Sequence, residues 1–372
     1  MKYRNQTDYQ HDDASATGIL ITNLGTPDAP EKKALRRYLK EFLSDPRVVE
    51  PPPPRWLWWL ILNGVILNIR PSRSAKAYQE VWDELGEGSP LLAVAKQQKQ
   101  LLQEQLNGVF AGPVVVELAM RYGNPSIASA LRSLQQQGVR RLLVVPLYPQ
   151  YSATTTASTF DALSLELKQW RLLPELRFVN HYHDHPLYIQ ALAASVQEHW
   201  KKHGQPDKLI MSYHGLPKRY LTNGDPYHCE CYKTSRLLAE ALNLNQDQFQ
   251  VCFQSIFGRE EWLKPYTAET LKSLPQQGHN HVQVICPGFS ADCLETLEEI
   301  EGENREYFEH AGGKEFSYIP ALNTRPDHIQ ALVEVICQHT QGWYERSEFN
   351  ATTDAANREQ SKKRAMHVGA EQ

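Results

Sequence analysis

Short apolar runs rich in β-branched residues alternate with longer helical stretches along most of the chain, and this alternation constrains the fold more than any other feature. Nearly every run ends in a turn with glycine or proline, which is the pattern of β-α-β units on a parallel sheet. The runs are residues 18–27, 113–125, 140–156, 177–186, 207–217, 249–260, 282–293 and 316–323. We therefore expect an α/β fold of the Rossmann-like kind, with central parallel sheets flanked by helices.

The runs occur twice in a similar order. ILITNLGTP, VVVELAMRYGNP and LLVVPLYPQYS in the first half resemble LIMSYHGLP, VCFQSIFG and VQVICPGFS in the second. This repetition predicts two similar units, 18–165 and 166–325, that face each other across a crevice, with a polar helical connector near 157–176. We expect helix 326–345 to complete the first unit and residues 346–372 to be a disordered tail, because they have little to bury.

Composition and motifs exclude several classes of function. The formal net charge is -4 over 372 residues, so the chain has no global positive field to gather nucleic acid. No run is followed by a G-x-G-x-x-G or G-x-x-x-x-G-K-[ST] motif, so we expect no nucleotide. The first eighteen residues lack the apolar segment of a signal peptide, and we expect a cytoplasmic protein.

One apolar segment, PPPPRWLWWLILNGVILNIRP at 51–71, raises the question of membrane binding. It is too short to cross a bilayer, which takes about 20 apolar residues. One interpretation is a buried core helix. The other is an apolar lip, residues 51–70, that lies in a membrane interface, where Trp56, Trp58 and Trp59 suit the headgroup boundary.

An acidic helix is expected after the run that ends at residue 293. At about 100° per residue, its carboxylates fall within an arc of roughly 80°; these are Asp292, Glu295, Glu299 and Glu303. A solvated face is the ordinary interpretation, and acidic residues in a first turn also stabilise a helix through its dipole. Because this helix starts at the carboxyl end of a strand, where ligands bind in α/β sheets, we expect it to line the crevice.

His214 ends the apolar run MSYHGLP. Either it has ordinary polar partners, or it faces a carboxylate such as Glu295, a pair suited to a borderline divalent metal or to proton transfer. Large flat or apolar side chains lie in the surrounding turns and predict a large planar apolar ligand. They are Leu24, Tyr122, Tyr151, Tyr213, Trp262 and Phe289, with Arg121 as a nearby cation.

Cysteines give a single hint of a bound metal, the pair Cys229 and Cys231. The one-residue spacing differs from that of ordinary zinc knuckles, and no second pair follows. No cysteine follows Cys337, so the tail cannot supply a cysteine-rich cluster site. We therefore expect no iron–sulfur cluster.

Eight motifs together resemble the ferrochelatase family in its bacterial form. They are NLGTP (23–27), FLSDPRVVE (42–50), GSPL (88–91), MRYGNP (120–125), YPQYSATTTAS (148–158), MSYHGLP (211–217), FQSIFGREEWLKPYT (253–267) and CPGFSADCLETLEEI (286–300). The resemblance covers about residues 18–340. It implies a lyase of two Rossmann-like halves that inserts ferrous iron into protoporphyrin IX, with release of two protons, in the last step of heme biosynthesis.

The resemblance also implies roles for particular residues. His214 and Glu295 match the catalytic, metal-handling pair, with the question of which takes protons and which holds metal left open. Asp292, Glu299 and Glu303 match a proposed route for protons or iron. The motif positions that line the macrocycle pocket are Leu24, Ser89, Arg121, Tyr122, Tyr151, Trp262 and Phe289. Residues 51–70 match the lip through which membrane-associated members receive porphyrin, which implies peripheral contact with the inner membrane.

Two kinds of alternative remain at this point. Within the enzyme class, the substrate is coproporphyrin or the metal is cobalt. Outside it, the chain is a heme or porphyrin carrier that performs no insertion. A carrier would need neither the acidic helix face nor both His214 and Glu295, and the tryptophan-rich lip favours the more apolar protoporphyrin.

Overall fold

The computed structural model describes residues 3, 10–50, 54–258, 260–343 and 350–370. Two four-stranded parallel sheets form its centre. The first has the order β2-β1-β3-β4, with β1 Ala16–Thr26, β2 Val114–Gly123, β3 Val139–Pro146 and β4 Glu175–Phe178. The second repeats that order as β6-β5-β7-β8, with β5 Lys208–His214, β6 Phe249–Gln254, β7 His281–Ile285 and β8 Glu315–Ile319. The predicted α/β fold with two similar units is confirmed.

Helices cover both faces of each sheet. In the first half they are α1 Lys32–Ser44, α2 Arg55–Ile61, α3 Leu67–Val81, α4 Pro90–Val109, α5 Ile127–Gln136 and α6 Ser158–Leu167. In the second half they are α7 Pro186–His203, α8 Lys218–Thr222, α9 Tyr227–Ala241, α10 Thr267–Ser273, α11 Arg305–His310, α12 Pro326–His339 and α13 Ala351–His367. Three π-helical segments join them, at Leu62–Ile66, Ala153–Ala157 and Glu295–Asn304.

The central strands are buried on both faces, which explains their nearly continuous apolar sequence. In β1, Ile21 lies opposite Leu118 of β2 and Val145 of β3, and all but one of its residues are buried. The largest apolar cluster contains residues from both sheets, for example Ile21 and Met211, together with Leu332 of α12. The two units therefore share one core.

Helix α12 contacts α4 and β3 of the first half and also α7. The Arg177 guanidinium at the end of β4 donates to the carbonyl oxygens of His339 and Gln341 at 2.8 and 2.9 Å. The chain thus returns to the first sheet after it has completed the second, although α12 touches the second half as well.

The predicted boundary between the two units, at residue 165, does not match the end of the first sheet. Strand β4, at 175–178, pairs with β3 and belongs to the first sheet. The connector expected near 157–176 contains α6, whose Leu163 and Leu167 are buried with Trp170 against that same sheet. These apolar side chains make α6 the crossover of a β-α-β unit rather than a linker between units.

Residues 351–367 of the expected disordered tail form helix α13, while 346–349 and 371–372 lie outside the described residues. The tail buries little, as expected from its composition, since every residue of α13 is at least partly exposed. Local interactions account for the helix. Asn350 caps its first turn, and the ion pairs Asp354–Arg358 and Glu359–Lys363 have the favourable i,i+4 spacing.

The apolar segment at 51–70 is described from Pro54 onward and forms α2, a π-helical turn and the start of α3. Every residue of α2 is at least partly exposed, so the alternative of a buried core helix was wrong. Trp56, Trp59 and Ile69 expose 63, 61 and 70% of their surface. In the described part of the chain, we find no helix with the length and apolar character needed to cross a bilayer.

Candidate active site

The carboxyl ends of the two sheets lie close together, around the region where the crevice is expected. Leu24 near the end of β1 and Phe289 in the turn after β7 both pack against one small apolar cluster, which includes Leu91. On the other side, the turn after β3 approaches the turn after β7, because a Cβ atom added at Gly288 would lie 3.5 Å from Gln150 Oε1. The strand ends that carry the sequence motifs therefore converge, as the parallel topology predicts.

His214 is the last residue of β5 and is half-buried. Its Nδ1 atom lies 2.7 Å from the carbonyl oxygen of Gly215. A carbonyl oxygen only accepts hydrogen bonds, so Nδ1 carries the proton of the neutral ring. The lone pair is then on Nε2, which can bind a metal ion or take a proton.

The chain turns away directly after His214 because Gly215 allows a close approach. A Cβ atom at this position would lie 2.7 Å from the carbonyl oxygen of Gln254 and 3.2 Å from Trp262 Cε3. The half-buried Trp262 ring therefore packs over Gly215 beside the histidine. This gives the crevice an apolar, flat surface next to a polar group.

The acidic residues lie on the π-helical segment Glu295–Asn304 rather than on an α-helix. A π-helix has i→i+5 hydrogen bonds and a wider turn, and such segments are frequent at functional sites. The predicted angles therefore do not apply as stated, but the spacing of four still keeps Glu295, Glu299 and Glu303 on one side. Gln254, at the end of β6, donates to the Glu295 carbonyl oxygen at 2.8 Å and ties this helix to the second sheet.

The pKa of the Glu299 carboxyl is affected by the charges of both His214 and Glu295. Burial raises the pKa of the Glu299 carboxyl above its ordinary value, and the charge of Glu295 adds to the rise. Hydrogen bonds from Ser255 and the imidazole of His214 act in the opposite direction and lower the pKa. Both members of the predicted pair therefore act on one carboxylate at the crevice.

Glu298 is a carboxylate that the sequence pattern did not single out. Burial raises its pKa to about 7, and the negative charges of Glu303, Glu299, Glu80 and Glu295 contribute to the shift. Glu80 belongs to α3, which packs against the π-helical segment. A carboxyl group with this pKa can take up and release protons at neutral pH.

Asp292 does not belong to the acidic face. It is buried, and its Oδ1 atom accepts hydrogen bonds from Tyr318, Thr296 and the Ala321 amide, while Oδ2 accepts one from Asn323 at 2.7 Å. A carboxylate with both oxygens engaged in this way fixes the turn before the π-helical segment. The relay role of Asp292 stays a prediction.

Arg121 and Tyr122 form a buried polar network with Asp45 and Ser158. The Arg121 guanidinium lies 2.5 Å from Asp45, and the Tyr122 hydroxyl donates to the same carboxylate at 2.7 Å. Ser158 completes the network with a 2.6 Å hydrogen bond to Asp45. Tyr122 has no exposed surface, and the charge of Arg121 is paired with that of Asp45. Their contact with a ligand stays a prediction.

Two further predicted pocket residues are also buried. Tyr213 has no exposed surface, and its hydroxyl group lies 2.8 Å from Ser235 Oγ. Ser89 is 2% exposed and caps helix α4 by accepting from the Leu92 amide. Both side chains therefore have partners inside the protein, and their contact with a ligand stays a prediction. Tyr151 is half-buried.

The cysteine pair does not converge on a common point. Cys229 is exposed, whereas Cys231 lies in the core, because positions i and i+2 point to different sides of helix α9. The residue between them, Glu230, is buried and contacts His181 and His183. The spacing His-x-His at 181–183 was a signal that could have drawn attention to this place.

The comparison with known families agrees with this fold and site. The family model described as ferrochelatase matches residues 16–340. The chain belongs to the ferrochelatase family, whose members are lyases that insert iron into a porphyrin. The resemblance inferred from the eight motifs is thereby confirmed.

Individual relatives extend over nearly the whole chain. The chain is 65% identical to a ferrochelatase of Hydrogenovibrio crunogenus over 358 residues, which cover 96% of this chain and 95% of the relative. It is 56% identical to that of Thioalkalivibrio sulfidiphilus over 371 residues, with full coverage of both. Among solved structures, SirB from Bacillus subtilis with Fe3+ has a TM-score of 0.52 at 12% identity, covering 89% of this chain and 99% of the other, which supports the fold alone.

Proposed function

We propose that this chain inserts Fe2+ into protoporphyrin IX and that His214 and Glu295 perform the exchange of metal for protons. Iron insertion into a porphyrin is the activity of its family. The assignment to these residues is supported by Gln254, which pairs with His214 across β5 and β6 and donates to the Glu295 carbonyl oxygen at 2.8 Å and to the Glu299 carboxylate at 3.4 Å. These contacts support a common location for the imidazole and the two acidic residues at the carboxyl ends of the strands.

The chemistry requires a metal to enter and two protons to leave. A planar porphyrin must bend so that its pyrrole lone pairs point out of the ring plane, and binding energy from a complementary crevice can hold it bent. The Nε2 lone pair of His214 can take a proton or bind the metal, and Glu295 supplies a negative charge. Two N–H bonds break and release two protons, four Fe–N bonds form, and the iron stays in the +2 oxidation state.

The acidic face supplies a place for the released protons. Glu298 and Glu299 both have raised pKa values, so they accept protons near neutrality more readily than an exposed glutamate. Glu303 extends this face toward solvent, since its side chain is exposed. We propose that protons leave, or iron enters, along Glu299, Glu298 and Glu303.

We further propose that the lip formed by residues 54–70 contacts the cytoplasmic face of a membrane, from which the porphyrin enters. The large exposed side chains Trp56, Trp59 and Ile69 support this contact. The same feature favours protoporphyrin over coproporphyrin, whose four carboxylates make it more water-soluble. The Phe257 ring, in the turn after β6, has its centroid 4.8 Å from Arg70 Cζ. This contact links the lip to a turn at the carboxyl end of the second sheet.

The test is anaerobic insertion of Fe2+ into protoporphyrin IX, followed by loss of the free-porphyrin absorption bands. We expect turnover by the native chain and by the control His310→Ala, and loss of turnover in His214→Ala and Glu295→Gln. Porphyrin binding, followed by fluorescence, should be retained in both variants. Tight binding by the native chain without insertion would make it a carrier, and faster turnover with coproporphyrin or Co2+ would reassign the substrate or the metal.

A further inference from the structure

We propose that His181, His183 and Glu230 form a second metal site, which binds a divalent transition metal such as Zn2+ at a place other than His214 and Glu295. The two histidines lie between β4 and α7, and the glutamate lies in the first turn of α9. One ligand atom from each residue lies within 4.8 Å of the other two.

The two imidazoles approach the two oxygens of one carboxylate. His181 Nδ1 lies 2.8 Å from Glu230 Oε1, and His183 Nδ1 lies 3.3 Å from Glu230 Oε2. A tetrahedral ion with bonds of about 2.1 Å holds its ligand atoms about 3.4 Å apart. The three side chains therefore need only small rotations to enclose such an ion.

His183 carries a nitrogen atom that lacks a hydrogen bond. Its side chain is 5% exposed, and Nδ1 makes no hydrogen bond with any part of the chain that the structure describes. Although Glu230 Oε2 is only 3.3 Å away, this contact is not a hydrogen bond, and native structures seldom leave a buried polar atom without one. A metal ion between His183 and Glu230 would use this lone pair.

Glu230 is held in place by the protein. Its Oε2 atom accepts a 2.6 Å hydrogen bond from the Tyr151 amide, and its side chain is 10% exposed. Thr234, one turn further along α9, donates to the His183 carbonyl oxygen at 2.9 Å. These contacts orient a carboxylate and an imidazole before any ion arrives, which favours binding.

A simple ion pair accounts for only part of this geometry. A hydrogen bond joins His181 to Glu230, but the buried Nδ1 atom of His183 is left without one among the described residues. The side chain of His181 is 49% exposed. That exposure also leaves room for a water molecule as a fourth ligand.

The donor set selects the kind of metal. Two imidazole nitrogens and one carboxylate are typical ligands of Zn2+ and other borderline first-row ions, whereas Ca2+ and Mg2+ prefer oxygen ligands alone. Because Tyr151 contacts Glu230 through its amide, a bound ion would also brace the turn after β3, which borders the crevice.

The test uses the full chain, freed of metal with a chelator, and calorimetric titration with Zn2+. The His214→Ala variant serves as the background, because it removes uptake by the proposed catalytic pair. We expect this variant to bind one equivalent of Zn2+. Addition of His181→Ala should weaken this binding at least about tenfold, while addition of His310→Ala, an exposed histidine elsewhere, should not change it.

A spectroscopic readout separates this site from metal bound loosely at the surface. Co2+ in a four-coordinate site absorbs visible light more strongly than hydrated Co2+, so the His214→Ala chain should gain these bands and the double variant with His181→Ala should not. Glu230→Gln, in a chain whose circular dichroism is native, should lose them too. Zn2+ uptake that disappears with His214→Ala alone, or that survives His181→Ala, would overturn the proposal.

Discussion

Ser255 donates two hydrogen bonds to the carboxylate of Glu299. Its amide lies 2.7 Å from Oε1 and its hydroxyl 2.5 Å from Oε2. Ser255 has a φ of 62°, in the left-handed region that residues other than glycine seldom adopt. This conformation directs both donors at one side chain, so the turn after β6 holds the carboxylate that also responds to His214 and Glu295.

Removal of one of these donors should change the pH dependence of iron insertion. Hydrogen bonds from Ser255 favour the charged form of Glu299 and lower its pKa against the effect of burial. In Ser255→Ala we therefore expect the acidic limb of the kcat/KM profile to move to higher pH. The control Ser164→Ala, in α6, should leave the profile in place; the same profile in both variants would contradict the role of Ser255.

Glu298 should make the protein less stable as the pH rises. Its pKa is about 7 in the folded state, so between its ordinary value of 4.5 and 7 the folded chain binds more protons than the unfolded chain. The free energy of unfolding therefore falls with pH in this window. We expect Glu298→Gln to be about 1 kcal/mol more stable than the native chain at pH 8, after allowance for solvent screening, and equally stable at pH 4.

Urea unfolding at both pH values measures this difference. Glu309→Gln is the matched control, because Glu309 is exposed and lies on α11, outside the acidic face. A stabilisation of the same size at pH 4 and pH 8 would show that the effect does not come from the charge of Glu298.

The buried network at Asp45 should contribute far more to stability than a neighbouring surface ion pair. Removal of one partner of a buried pair costs about 3–5 kcal/mol, because Arg121 would keep a buried charge. Asp161, which pairs with Arg47 at 2.8 Å on the surface, offers the comparison. We expect Asp45→Asn to lower the free energy of unfolding by about 3 kcal/mol, and Asp161→Asn by at most about 1 kcal/mol.

The same network predicts sensitivity to acid. Burial raises the pKa of Asp45, but hydrogen bonds from Ser158, Arg47 and Tyr122 and the charge of Arg121 outweigh it, and the net pKa is lowered. Its contribution to stability is therefore complete above 3.8 and is lost as the pH falls through the folded-state pKa. In unfolding curves, the difference in free energy of unfolding between Asp45→Asn and Asp161→Asn should become smaller below pH 3.8. A difference that stays constant would argue against a charged Asp45.

The lip should bind lipid through its two most exposed tryptophans. Trp56→Ser with Trp59→Ser removes much of its apolar surface, so we expect binding to vesicles with anionic phospholipid to weaken at least about tenfold in sedimentation. Leu172→Ser with Leu173→Ser is the control, since these leucines are 52 and 57% exposed elsewhere on the surface. Equal losses in both pairs would indicate unspecific adhesion.

Much of the fold was predictable because long buried strands have nearly continuous apolar sequences. The runs 18–27, 113–125 and 207–217 agree with β1, β2 and β5, and the parallel order of these strands brings the motifs to one edge. Strand β4 was assigned to the wrong unit because it has four partly exposed residues at the edge of its sheet. Such a short segment does not show which strand it will pair with.

The site was predictable in its polar residues and less so in its aromatic ones. A motif shows that Tyr122 and Tyr213 lie near strand ends, but only the packed structure shows that Asp45 and Ser235 engage their hydroxyl groups inside the protein. Likewise, a 100° period describes an α-helix and cannot reveal a π-helical register at 295–304. Glu230 lies 49 positions from His181, so their contact depends on tertiary structure.

The repeated strand order gives the two units equivalent elements. In both, the third strand leads through a turn into a π-helical segment, Ala153–Ala157 in one and Glu295–Asn304 in the other. The first carries threonine hydroxyl groups, and the second carries carboxylates. Two identical half-length subunits would have to carry the same groups at both positions; a single chain breaks this symmetry and can carry hydroxyl groups at one position and carboxylates at the other.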